Sequence, residues 1–200
     1  LASGILLYAM SLLYGLTGTL ELAGISQSVS GFSPDDLPLA VALILVIVGL
    51  LFKLGAVPFH MWVPDVYAGS PTSVTVYLAS APKIAAFVIV FRLLATSLEP
   101  LIEVWQDMLI AVALLSIGFG NLVAIAQRNM KRMLAYSTIS HMGFFLLGIL
   151  SGGSVGYSAA MLYVLIYAVI SLGVFGCILH FSGEGFEADQ LDDYRGLSKT

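Results

Sequence analysis

The sequence predicts an all-α protein, a polytopic bundle of transmembrane helices. Its 200 residues are 59% hydrophobic and only 10% charged, whereas a soluble domain carries about 25% charged residues. Apolar stretches of roughly 20 residues, the length that crosses a bilayer as a helix, recur along the chain. All twelve acidic residues fall between these stretches or at their ends. The strands of a membrane β-barrel are shorter and alternate apolar with polar residues, which these stretches do not.

Six stretches are candidate helices of a single membrane domain that fills the chain, which we interpret as an internal fragment of a longer protein. They are 1–16 (partial), 38–66, 72–95, 105–127, 132–151 and 157–181. The second has 29 residues, about 43 Å of continuous helix, against a hydrocarbon core of about 30 Å. Pro58 lacks a helical N–H and clashes with the carbonyl of Leu54, so we expect an interruption near it. Pro82 is similarly expected to free the carbonyl of Leu78 in the next helix.

Basic residues orient the helices. One short loop holds three of them, and the positive-inside rule places it in the cytoplasm: Arg128, Lys131 and Arg132. Alternation then puts 17–37 and 96–104 outside, and neither segment contains Lys or Arg. No basic cluster is large enough to indicate nucleic-acid binding. The single Cys177 excludes a disulfide framework or an iron–sulfur cluster built from these residues alone.

Two lysines stand inside the apolar stretches. Lys53 lies in 38–66 and Lys83 in 72–95, and an ionised lysine at mid-bilayer costs roughly 2.5–3.5 kcal/mol on insertion scales. A lysine taken out of water holds its proton less tightly, and a nearby carboxylate opposes this effect. Such a group can take up and release protons, so we predict that both lysines belong to a proton relay. The alternative is that they snorkel to the interface or pair with freed carbonyls.

Histidines are secondary candidates for the same relay. His60 follows Pro58, and His141 lies mid-helix among Ser137, Thr138 and Ser140. Imidazole and hydroxyl groups can pass protons through intervening waters. A histidine among hydroxyl side chains can equally serve only helix contacts. Because no acidic residue lies inside any stretch, a counter-ion for the lysines must come from a loop or from outside the chain. Trp62 is predicted to anchor its helix at the membrane interface.

The motifs resemble the antiporter-like membrane subunits of respiratory complex I, and within that family the subunit N branch. The resemblance covers almost the whole chain and is carried by FKLGAVPFHMWVPDVYAGSPTSV, SAPKIAAF, GNLVAIAQRNMKRMLAYSTISHMGF and DDYRGL. It implies a fold of fourteen helices, of which this chain covers the later part of the sixth through the eleventh. Lys53 and Lys83 match the family's two proton-path lysines on its seventh and eighth helices. His141 matches a position common on its tenth.

The resemblance also implies the setting. Proton movement through the chain would be coupled to electron transfer from NADH to quinone in partner subunits. Those partners would hold the FMN, the iron–sulfur clusters and the quinone, and this chain would hold no cofactor or metal. It would span a bacterial cell membrane many times beside the other complex I membrane subunits, an organelle membrane being less favoured. The family's glutamate partner for Lys53 would lie before residue 1.

Two other function classes remain open. A subunit of a multi-subunit cation/proton antiporter, or its counterpart in a membrane-bound hydrogenase, would share the fold and both lysines. The motif V-P-F-H-x-W-x-P-D-V-Y around His60 favours complex I over the antiporter and hydrogenase subunits. A purely structural membrane scaffold is the third class, and it would tolerate loss of Lys53 and Lys83.

Overall fold

Helices dominate the chain in a computed structural model that describes residues 2–33, 36–183 and 185–196. Leu1, the first residue of the predicted stretch 1–16, lies outside the described residues. The helices are α1 (Ala2–Thr17), α2 (Leu22–Val29), α3 (Leu37–Leu54), α4 (Trp62–Gly69), α5 (Thr72–Val90), α6 (Ile102–Ile125), α7 (Met130–Leu150) and α8 (Gly153–Phe181). A π-helical segment, Phe91–Ser97, continues α5, and short 3-10 turns occupy Glu99–Leu101 and Leu191–Tyr194.

The predicted all-α membrane bundle is confirmed. Within the described ranges, five helical spans are long and apolar enough to cross a membrane. They are Leu37–Leu54, Thr72–Ser97, Glu99–Ile125, Met130–Leu150 and Gly153–Phe181. Helices α1 and α2 form a sixth candidate span, bent by 62° at the break between them.

The interruption predicted near Pro58 is also confirmed, but a glycine sets where it begins. Helix α3 ends at Leu54, and Gly55 adopts a left-handed conformation with φ 77°. Its N–H bonds back to the carbonyls of Leu51 and Phe52, the usual way a glycine closes a helix. Pro58 therefore lies inside the break, and the next helix, α4, begins at Trp62.

Pro82 does not interrupt its helix, because α5 continues through it to Val90. The Leu78 carbonyl, which loses its helical donor at Pro82, instead accepts a hydrogen bond from the Tyr67 hydroxyl at 3.4 Å. A side chain of α4 thus supplies the missing donor, and the helix continues past the proline.

A short amphipathic helix lies in the segment 17–37, which the sequence analysis treated as a plain loop. In α2 the buried residues Ile25 and Val29 are four apart, so they share one helical face. This face packs against the π-helical segment after α5. The segment was overlooked because eight residues are too few for a hydropathy signal.

Glycines allow α6 and α7 to pack at backbone distance. A Cβ placed on Gly143 would lie 2.8 Å from the Ala113 carbonyl oxygen, and one on Gly120 would lie 2.7 Å from the Ser140 nitrogen. Small residues at such crossings are how membrane helices gain van der Waals contact. The close crossing holds α7, which carries His141, firmly against α6.

Candidate functional site

The break between α3 and α4 exposes a backbone carbonyl to a buried lysine. Because α3 stops at Leu54, the carbonyl of Leu54 has no helical donor. Lys83, on the neighbouring α5, donates to that oxygen from its Nζ at 2.7 Å. The Lys83 side chain is only 2% exposed. The sequence analysis allowed pairing with freed carbonyls as an alternative to a relay, and the geometry places Lys83 in that contact.

Trp62 completes the surroundings of Lys83. Its indole ring lies 5.2 Å from the Lys83 ammonium, a distance at which the ring face attracts a cation. Its Nε1 donates to the Phe52 carbonyl at 2.8 Å, which gives that oxygen a second donor besides the Gly55 N–H. The residue predicted to anchor a helix at the membrane interface is therefore part of the lysine site.

No carboxylate pairs with Lys83 in the described ranges, where the ion pairs are Lys131–Glu187, Arg132–Asp65 and Arg195–Asp192. Its charge is balanced only by a carbonyl dipole and a ring face. A group held in this way can gain or lose a proton without breaking an ion pair.

Lys53 faces an open cavity rather than the interior. The cavity, of about 350 Å³, is lined by residues of α1, α3 and α5, among them Ser3 and Ala85, and by Trp62. In the part of the chain that the structure describes, the Lys53 ammonium has no ion-pair or hydrogen-bond partner. Trp62 therefore borders both lysines, with one on its cavity side and the other under its ring.

His60 does not join the lysines. It lies in the break, where its ring contacts the edge of Phe119 on α6 at a centroid distance of 4.8 Å. Among the described residues no hydrogen bond connects it to Lys53 or Lys83. Its proposed part in the relay stays a prediction without a contact that supports it.

His141 lies in a second polar cluster between α7 and α8. Its Nδ1 is 2.7 Å from the Tyr163 hydroxyl, and its ring is 5.1 Å from that of Tyr167. The Tyr167 hydroxyl donates to Thr138 Oγ1 at 2.8 Å. These groups line a cavity of about 180 Å³ together with Ser171. The tyrosines escaped the sequence analysis because α8 carries no periodic polar signal, with tyrosines scattered among apolar residues.

Tyr67 connects the two clusters. Its hydroxyl donates to Leu78 on the lysine helix, and its ring packs edge-on against Phe175 at 5.8 Å. Phe175 is part of the wall of the His141 cavity. Tyr67 therefore contacts both the helix that carries Lys83 and the wall of the His141 cavity. Within the described ranges, no group of three His, Cys, Asp or Glu side chains is placed to hold a metal ion.

The whole chain, residues 1–200, matches a protein family described as NADH:quinone oxidoreductase/Mrp antiporter, TM. The chain belongs to this family. Among its curated relatives are NADH-quinone oxidoreductase subunit N of Thiobacillus denitrificans and of Thioalkalivibrio sulfidiphilus, each 56% identical over all of this chain. The chain spans 41% and 42% of their respective lengths.

Solved structures of membrane complexes contain chains of similar fold. Respiratory complex I from Thermus thermophilus with bound aureothin contains a chain that is 36% identical, with a TM-score of 0.77 over 99% of this chain and 41% of that one. A chain of the Mrp complex from Dietzia sp. is 28% identical, with a TM-score of 0.78 over 87% of this chain and 32% of that one. A chain of the membrane-bound sulfane sulfur reductase, an archaeal respiratory membrane complex, is 29% identical, with a TM-score of 0.82 over 96% of this chain and 39% of that one.

Proposed function

We propose that this chain is part of a proton-translocating membrane subunit of NADH:quinone oxidoreductase, and that Lys53, Lys83 and His141 carry its protons. The proposal draws on the family, on the 56% identity to curated subunit N sequences, and on the buried polar groups. Electron transfer from NADH to quinone takes place in partner subunits, which hold the FMN, the iron–sulfur clusters and the quinone. This chain contributes the proton path.

The observation that carries the proposal is the bonding of Lys83. Its Nζ is buried, touches the Leu54 carbonyl at a helix break, and has no carboxylate partner among the described residues. A lysine with a purely structural role would gain more from an ion pair or from exposure to water. Both the ammonium and the neutral amine can donate to the Leu54 oxygen, so Lys83 keeps its place in either protonation state.

The path begins at Lys53, whose open cavity admits water. Lys53 takes up a proton there and passes it, through water beside Trp62, to Lys83. From Lys83 the proton moves toward the cavity between α7 and α8, where the Tyr167 and Tyr163 hydroxyls and His141 can each accept one proton while donating another. Approach of a second positive charge to Lys53 favours release of the proton held by Lys83.

The subunit works as one member of an assembly. We propose that it lies in the cell membrane of a bacterium, among the other membrane subunits of the complex. In support, the outer faces of the bundle carry many exposed large apolar side chains, among them Leu114, Leu122, Leu162 and Val169. Lipid tails and neighbouring subunits are the surroundings that suit such faces.

A cation/proton antiporter subunit is the alternative, because the TM-scores to the Mrp complex and to complex I are nearly equal. The fold alone therefore does not separate the two activities. Sequence favours complex I, since identity to curated subunit N chains is 56%, against 28% for the Mrp chain.

The test replaces Lys83 by Met in the full-length subunit within the assembled complex, which keeps the length of the side chain and removes its charge. Reconstituted into liposomes, the complex is given NADH and quinone, and protons translocated per NADH oxidised are measured. We expect transfer through this subunit to fall at least about 10²-fold, as for loss of a proton-transferring group. Lys53→Met should lower the same ratio.

Arg92→Met is the matched control, because Arg92 is an exposed basic residue just beyond the end of α5. It should leave the ratio unchanged. Normal proton translocation by the complex with both lysines replaced would support the scaffold alternative and reject the relay. Proton transport that requires Na⁺ and proceeds without NADH would instead support the antiporter.

A further inference from the structure

An ion pair between a buried lysine and a partly exposed glutamate lies at the end of the bundle that the positive-inside rule places in the cytoplasm. Lys131, the second residue of α7, is 1% exposed and its Nζ contacts Glu187 Oε2 at 2.5 Å. The same Nζ donates to the Ser70 carbonyl, in the turn between α4 and α5, at 3.0 Å. Burying a lysine this completely is costly, so the pair must be well supplied with further hydrogen bonds.

Glu187 supplies these bonds by capping α5. Thr72 is the first residue of that helix, and the preceding Pro71 offers no side-chain cap. The Thr72 N–H donates to Glu187 Oε1 at 3.0 Å, and the Thr72 hydroxyl donates to Oε2 at 3.2 Å. A carboxylate is favoured at a helix N-terminus, where backbone N–H groups lack partners. The pKa of Glu187 is lowered, chiefly by the hydrogen bond from Lys131 and to a smaller extent by the hydrogen bonds from Thr72.

The segment that carries Glu187 is itself fastened to the loop between α6 and α7. The Asp189 carbonyl accepts from the Met130 N–H at 2.6 Å, and its carboxylate accepts from the Asn129 side chain at 2.8 Å. Two residues later, the Leu191 N–H donates to the Arg128 carbonyl at 3.0 Å. These bonds hold Glu187 in place relative to α7, so its carboxylate can fix the position of the N-terminus of α5.

We propose that Glu187, clamped by Lys131, is a positioning residue for Lys83: it fixes the N-terminus of α5 against α7 and so holds Lys83 Nζ on the Leu54 carbonyl. This inference rests on the proposed function in so far as Lys83 carries protons. Lys83 is eleven residues from Thr72, about 17 Å along a helix. A helix transmits a shift of its end over that distance, so loss of the cap moves the lysine.

Glu187→Gln tests the inference with little change in shape. Three donors converge on the two carboxylate oxygens, and a glutamine offers one oxygen and one NH₂ group, which faces a donor. Asp192→Asn is the matched control, because it removes the same charge five residues later from an exposed pair with Arg195. Both are made in the full-length subunit of the assembled complex.

The first measurement is a cryo-EM structure of each variant complex. We expect the distance from Lys83 Nζ to the Leu54 oxygen to grow from 2.7 Å to beyond about 3.5 Å, outside hydrogen-bond range, in Glu187→Gln only. The second is the number of protons translocated per NADH oxidised, which should fall toward the Lys83→Met value while the amount of assembled complex stays normal. Should Glu187→Gln fail to assemble, Glu187→Asp keeps the charge, and its shorter side chain should give the same changes to a smaller degree.

The two measurements separate the failures. An unchanged Lys83–Leu54 distance in the glutamine variant, or in the aspartate variant if only that one assembles, overturns the positioning role. A longer distance with a normal proton ratio, where Lys83→Met lowers that ratio, also overturns it. If Lys83→Met itself leaves the ratio unchanged, the proposed function is rejected, and the distance alone decides whether Glu187 positions the lysine.

Discussion

The Lys83 side chain is almost completely buried, and each of its polar contacts contributes only a modest free energy. A hydrogen bond to a charged group contributes about 1.5–3 kcal/mol, and a cation over an indole ring contributes about 0.5–2 kcal/mol. Together these are of the same size as the roughly 2.5–3.5 kcal/mol cost of placing a lysine in the membrane centre. The charged and neutral forms are therefore closer in free energy than they would be beside a carboxylate, which suits a group that must release its proton.

Trp62 makes two contacts, one through its ring with Lys83 and one through Nε1 with the Phe52 carbonyl, and a conservative substitution removes only the second. Trp62→Phe keeps an aromatic face under Lys83 but loses the Nε1 donor to the Phe52 carbonyl. We expect the variant complex to lose about 1 kcal/mol of stability, the usual net value of one hydrogen bond, and to keep most of its proton translocation. Trp62→Ala should lose both. Thermal unfolding and the proton-to-NADH ratio measure the two effects, and equal ratios in Phe and Ala would contradict a role for the ring.

The contact between His141 and Tyr163 offers a second test at single residues. Tyr163→Phe removes the hydroxyl that pairs with His141 Nδ1 but leaves the ring in place. As with loss of any proton-transferring group, we expect proton transfer through the subunit to fall about 10²-fold. Tyr77→Phe is the control, because Tyr77 is 62% exposed on α5 and lies outside the cluster. If the two variants translocate protons equally, the cluster is not on the path.

Among the elements, the interrupted helix α3–α4 shows most clearly which features could be predicted. A stretch too long for the bilayer and a proline within it were enough to place an interruption near Pro58. The end of α3 at Gly55 was missed, since a glycine in an apolar run is as compatible with helix packing as with a left-handed cap. The contact of Lys83 with Leu54 links residues 29 apart in sequence, and no local pattern predicts such a pairing.

Gly55 is the residue on which the break depends, and its replacement tests this. Gly55→Ala forces a Cβ onto a residue with φ 77° and into contact with the Val63 side chain. The left-handed conformation alone costs roughly 1–2 kcal/mol for a residue with a side chain. We expect less stable complex and a lower proton-to-NADH ratio, because the Leu54 carbonyl shifts away from Lys83. Gly4→Ala, in the first turn of α1 with open space around its Cβ, should change neither quantity; similar behaviour of both variants would contradict the cap.

At the scale of the whole molecule, one end of the bundle is bonded more firmly than its middle. The end that contains Lys131 and Glu187 is fastened by two ion pairs and by caps on α5 and α7. The middle contains the two lysines and the helix break, where backbone groups lack regular partners. A rigid end beside a loosely bonded centre lets side chains and water rearrange around Lys83 without movement of whole helices.

The cavity beside Lys53 leads to the last prediction. The chain spans 41% of the length of its relative from Thiobacillus denitrificans, and Lys53 faces a cavity of about 350 Å³ next to α1. A lysine without a partner in a membrane helix is costly, so we expect another part of the full-length subunit to cover the cavity and to place a carboxylate oxygen within about 4 Å of Lys53 Nζ. A cryo-EM structure of the full-length subunit measures this distance. Replacing that carboxylate by its amide should lower the proton-to-NADH ratio as Lys53→Met does, whereas a cavity filled only by lipid or apolar side chains would mean that Lys53 acts without a counter-ion.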